Sequence, residues 1–163
     1  MGRADKLVEI ASRLKGVEVA PGVELPAPTF HPRLNDSLEV RAGGGAPLAL
    51  NRFLTSPGAI SAIDTAGGVA FLTAEQVAGH LRQDYADLLR SVDGVPAVPF
   101  AVNGGGSYLL VALDDSGVWK FNAHMHPVAK PIRIADSFES FLDCLIADWG
   151  AVLAGRGGPY STS

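Results

Sequence analysis

The stretch "YLLVALDDSGVWKFNAHMHPVAKPIRIADSFESFLDCLIADW", residues 108–149, changes its hydrophobic period partway along. "YLLVAL" is a continuous apolar run, the pattern of a strand buried on both faces. "DDSG" at 114–117 supplies turn residues, and "VWKFNAH" returns with alternation: Trp119 and Phe121 on one face, Lys120 and Asn122 on the other. "KPIRI" is a further short strand. The period then lengthens. Phe138, Phe141, Leu142, Leu145, Ile146 and Trp149 form one stripe of a 3.6-residue helix, and full burial stabilises each such side chain by about 1.5–3 kcal/mol. Asp136 with Glu139 three places on forms a capping box, which starts the helix at about residue 136 or 137. Glu139, Asp143 and Asp148 lie off the stripe, on a side expected to be acidic and wet.

Upstream, "GGVAFLTAEQVAGHLRQDYADLLRSVDG" holds a short strand over 69–72 and a helix opened by Thr73 and Gln76. Val77, Leu81, Tyr85, Leu88, Leu89 and Val92 mark its apolar face, and Gly94 ends it. "PAVPFAV" is extended and "NGGGS" is a turn. Near the N-terminus, Leu7, Val8, Ala11 and Leu14 predict an amphipathic helix that stops at Gly16. Between Val17 and Pro47, prolines and the "RAGGGAP" run predict extended segments and turns, with "SLEVRA" a strand. "LALNRFLTSPGAISAID" holds a short helix or a strand ahead of Pro57. This order predicts an α+β fold: a single domain over residues 1–155, a mainly antiparallel twisted sheet packed against amphipathic helices. Residues 156–163 are expected to be a flexible tail.

Composition narrows the function. Hydrophobic residues at 47% and charged residues at 18% suit a globular chain, and no apolar run reaches the roughly 18–20 residues of a membrane span. The charged, amphipathic N-terminus lacks the apolar core of a secretory signal, so the expected location is cytoplasmic. Cys144, the sole cysteine, excludes an internal disulfide. Residues 53–163 hold six Lys/Arg against eleven Asp/Glu, and no basic cluster with interleaved aromatics occurs, which argues against nucleic acid as a partner.

The chemical inventory is sparse. His124 and His126, two apart at a strand end, would point to one side and supply two metal ligands; a zinc site needs a third, for which only Cys144 and His31 are at hand. The plainer reading is a pair of polar residues at a sheet rim, with His80 a surface histidine. Cys144, with Asp143 and Asp148 as neighbours, lacks the cation that would activate a thiol. No nucleophile elbow or phosphate loop is present. No catalytic residue, metal site or cofactor is therefore expected. For partner binding the candidates are Asp114, Asp115, Trp119, Asn122, His124 and His126, since aromatics carry much interface energy. Against this, Trp119 and Phe121 are expected to pack beneath the last helix.

"GSYLLVALDDSGVWKF" followed by "PIRIADSFESFLDCLI" resembles the C-terminal half of the SUKH superfamily. Its Gly-x-Tyr-Leu strand is matched by Gly106, Tyr108 and Leu109, its Gly-Val-aromatic return by Gly117, Val118 and Trp119, and its helix start by residues 135–142. "GGVAFLTAEQV" is similar to the family's strand leading into its middle helix. The resemblance covers roughly residues 67–150, whereas residues 17–66 diverge: prolines stand where members carry a Leu-Pro-x-x-Tyr-x-x-Phe-Leu helix. It implies a non-enzymatic binding protein. Bacterial members are typically immunity proteins that bind a cognate polymorphic toxin, often a nuclease, and fungal relatives are interaction scaffolds. An acidic second half would suit a basic toxin domain. The competing classes are a metal protein or enzyme using His124 and His126, and a scaffold without a toxin.

Overall fold

A computed structural model describes residues 2–14, 16–24, 29–30, 47–55, 60–63, 69–72, 74–103 and 105–155. Helix α1 (Arg3–Leu14) buries Leu7, Ala11 and Leu14 and ends ahead of Gly16, whose φ of +76° suits the residue that follows a helix. A small ribbon follows, β1 (Glu18–Ala20) against β2 (Val23–Glu24). The segment left open between helix and strand contains one of each: α2 (Leu48–Thr55), then β4 (Ile60–Ile63) after Pro57. "SLEVRA" lies outside the described residues.

The main sheet is antiparallel throughout. Its order is β10 (Ile132–Ala135), β9 (Val118–Phe121), β8 (Tyr108–Ala112), β7 (Val95–Val102), β5 (Val69–Phe71), β4 and β3 (Thr29–Phe30), with β6 (Ser91–Val92) also paired to β7. Every residue of β8 is buried, as its unbroken apolar run requires. Leu109 and Val111 enter one core, Tyr108, Leu110 and Ala112 another. The sheet and helices thus give the expected α+β arrangement. No helix among the described residues is long and apolar enough to cross a membrane.

The first core lies under α5 (Phe138–Leu153). Phe138, Phe141, Leu142, Leu145, Trp149 and Val152 are buried there with Leu50 and Phe53 of α2, and Phe100 meets Phe138 and Phe141 edge-on at 5.3 Å. The cap differs from the Asp136–Glu139 box. Ser137 is the N-cap, its Oγ accepting from the Ser140 backbone N at 3.1 Å, while Asp136 pairs with Arg133 and Glu139 with Arg3. A hydroxyl in the extended conformation ahead of the helix reaches the third amide, so the cap moved one residue on. Asp148 is half-buried rather than wet, and burial pushes its carboxyl above the ordinary carboxylate range.

The second core corrects two expectations. The helix read from Thr73 to Gly94 is two short helices, α3 (Ala74–His80) and α4 (Ala86–Leu89), followed by the β6–β7 hairpin; Thr73 itself lies outside the described residues. Asp93 and Gly94, at φ +50° and +80°, make a two-residue turn of the kind that Asp-Gly favours. The bend at 81–85 carries the chain around the sheet: Val77 joins the first core, whereas Leu89 and Val92 fill the second. Trp119 and Phe121 belong to this second core. They do not pack beneath the last helix, because Val118 takes the helix-facing side of β9 and alternation turns both rings the other way.

Candidate functional site

Tyr108 anchors the site. It stands at the first position of a strand buried on both faces, where a phenol needs a hydrogen-bond partner. The chain returning over the second face supplies two. Tyr108 Oη lies 2.6 Å from His80 Nδ1 at the end of α3, and 3.0 Å from Tyr85 Oη beyond the bend. Burial, aided by the charge of His124, lowers the His80 pKa and favours neutral imidazole. Burial and the Tyr85 bond raise the Tyr108 pKa well above the usual phenol range. The Tyr108 hydroxyl thus bridges the His80 ring and the Tyr85 hydroxyl, donating to one of the two and accepting from the other according to the imidazole tautomer. The cluster is a hydrogen-bonded chain that ties α3, the bend and β8 together.

His124 extends this cluster to the rim. Asn122 Oδ1 accepts from the His124 backbone N at 3.1 Å, capping a 3-10 turn (Ala123–Met125). The His124 ring meets Tyr85 edge-on at 4.7 Å, while the exposed His126 has Phe121 as its ring neighbour at 6.3 Å. The turn thus sends the two rings to different neighbours, where a continued strand would have aligned them. Among the described residues no three His, Cys, Asp or Glu side chains are grouped as metal ligands; Cys144 is exposed on α5, and His31 lies outside those residues.

The six candidate binding residues divide. Asn122, His124 and His126 come together where β9 ends, whereas Asp114 and Asp115 lie in the turn before β9 begins. Those two carboxylates have local work. Asp114 Oδ1 accepts from the Ser116 backbone N at 3.0 Å, and hydrogen bonds from the Ser116 side chain and backbone hold its pKa below the usual range, while Asp115 Oδ1 accepts from the Phe138 backbone N at 2.8 Å. Trp119 is only 8% exposed, its ring against Gly117 and beneath the Arg133 guanidinium at 5.7 Å, so it offers little contact surface.

Sequence reasoning passed over His80, Tyr85 and Tyr108 as a group. A polar ring in "YLLVAL" was the available signal, since burial of its hydroxyl demands a partner. It also passed over exposed apolar side chains in the segment around and after the histidines: Met125, Val128 and Ile132 are 52%, 84% and 57% exposed. No protein-family model matches the chain, and no curated protein is significantly similar to it in sequence.

Proposed function

We propose that this chain is a non-enzymatic protein-binding domain of the SUKH kind, which binds and neutralises a cognate toxin, such as a nuclease. The observation that carries the reading is the exposure of Met125, Val128 and Ile132 in the same short segment as Asn122, His124 and His126. Large apolar side chains left exposed within one short segment suit association with another protein. Residues carrying the SUKH resemblance also occupy positions on which the fold depends. Gly106 adopts φ +80° in the turn before β8, Gly117 leaves room for Trp119, and Ser137 caps α5. Inhibition would be steric, the bound domain covering the toxin's active site.

The test joins capture to rescue. Tagged protein is used to recover partners from a lysate of its own source, washed at low and at high salt. A recovered toxin domain whose growth arrest is relieved by co-expression is the expected outcome. Arrest that persists despite co-expression of soluble protein would remove the toxin reading.

A further inference from the structure

Two imidazoles flank the tyrosine pair on the second face of the sheet. His80, the last residue of α3, is half-buried, with Nδ1 2.6 Å from Tyr108 Oη and its ring edge-on to the Tyr108 ring at 5.0 Å. Tyr85 bonds the same phenol at 3.0 Å, and its own ring packs against that of exposed His124 at 4.7 Å. Among the described residues, these two side-chain bonds are the hydrogen bonds that cross from residues 80–86 to the sheet; the others stay within the segment that carries the bend. Nothing nearby balances a cation at His80. The sheet beneath it is apolar apart from Tyr108, with Leu110, Trp119 and Phe121 in the same core. Glu75, Asp84 and Asp87, the acidic residues of α3, the bend and α4, are exposed, and among the described residues none pairs with His80. The remaining charges are cationic: Arg82, bonded to the Ala78 carbonyl, Arg90, bonded to the Leu81 carbonyl, and, when protonated, His124 and His126.

We propose that His80, Tyr108 and Tyr85 form an acid-released clasp: when His80 takes a proton beside a charged His124, the bend at 81–85 separates from β8 while the sheet and α5 stay folded. The trigger is a single proton. With His80 neutral, Nδ1 either accepts or donates and the hydrogen-bonded chain runs in either direction; with His80 charged, Nδ1 only donates and one direction remains. The cation is also poorly solvated where it stands. Burial and the His124 charge both oppose it, in keeping with the lowered His80 pKa. Opening hydrates the ring and moves it away from His124, so the open form gains population as pH falls. The opening is local because Phe100, Phe138 and Trp149 belong to the other core, and a bend with few buried side chains opens at less cost than a helix packed there. The released bend leaves Tyr108 uncovered, so in mild acid the candidate binding residues where β9 ends border a different surface.

Amide hydrogen exchange of the full chain at pH about 7 and pH about 5.5, corrected for intrinsic rates, tests the clasp by comparing residues 81–86 with α5. Protection of the bend relative to α5 should fall about three- to ten-fold in acid, about ten-fold being the most that one proton supplies a unit below the ordinary histidine pKa. His80→Gln should abolish that loss. His124→Gln should shrink it and raise the His80 pKa read by NMR titration, a change that a purely structural role for His124 would not produce. Equal bend protection at the two pH values, parallel loss in the bend and α5, or acid loss that survives His80→Gln overturns the proposal. So does a His80 pKa at or above about 6.5 in the parent protein, a reading that needs no variant to fold. No partner enters these measurements, so their outcome is separate from that of the toxin test.

Discussion

The carboxylate of Asp115, in the turn between β8 and β9, accepts a hydrogen bond from the backbone N of Phe138, the first residue of α5, at 2.8 Å. A residue distant in sequence thereby satisfies one of the free amides at a helix start, beside the cap supplied by Ser137. Hairpin and helix are locked at one corner of the sheet.

Asp115→Ala should therefore destabilise the protein by about 1–2 kcal/mol, the range of a lost N-terminal cap. Asp115 also has φ +59°, where a β-carbon without a local hydrogen bond is unfavourable, so alanine suffers twice. Asp115→Asn, which keeps an acceptor and tolerates that backbone, should lose less. Urea denaturation of the three proteins ranks them; an alanine variant as stable as the parent would show that the bond contributes nothing net.

Gly117→Ala should also be costly. A β-carbon there would stand 2.7 Å from Trp119 Cη2 and 3.1 Å from two further ring atoms, so the indole must move. Overpacking of this kind costs about 1–3 kcal/mol. The penalty should shrink when Trp119→Leu is already present, because the clashing ring is gone. A double-mutant cycle read by denaturation measures that coupling, and strict additivity would place the cost elsewhere.

The hairpin and α5 were legible because local signals agree there: turn residues at 114–117, alternation in "VWKF", and a long stripe ending at Trp149. The segment 74–95 was not. Val77, Leu81, Tyr85, Leu88, Leu89 and Val92 keep a helical period even though the chain turns from one sheet face to the other, and periodicity is blind to which core a residue enters. Asp93-Gly94 ends a helix or makes a hairpin; only the pairing of β6 with β7 decides. The direction of Trp119 depended likewise on which strand face α5 covers. His80 and Tyr108 are 28 residues apart, and their bond has no local signature.

His80 should make stability fall with acid. Its pKa is lower folded than unfolded, so between the folded value and about 6.5 the unfolded chain binds more protons, and stability decreases as pH drops through that window. Above it, both forms are neutral and the contribution is constant. Carboxylates such as Asp143, whose pKa Arg3 lowers, add their own loss only in the more acidic carboxylate range. Urea midpoints between neutral pH and pH about 5.5 should decline for the parent and decline less for His80→Gln. Equal slopes in the two proteins would assign the acid sensitivity to other groups.

Trp149 gives the opposite expectation to a usual core residue. It is fully buried in α5, yet its Nε1 has no hydrogen-bond partner among the described residues, so the indole carries a desolvated donor into the core. Leaving a buried polar group unsatisfied costs about 1–3 kcal/mol, and phenylalanine removes that cost together with part of the packed area. Trp149→Phe should then change stability by no more than about 1 kcal/mol, the two effects offsetting. Trp149→Ala, which empties the site without compensation, should lose about 3–5 kcal/mol. The comparison is made by thermal and urea denaturation of both variants. A phenylalanine variant as damaged as the alanine one would mean that the indole's shape outweighs its unpaired donor.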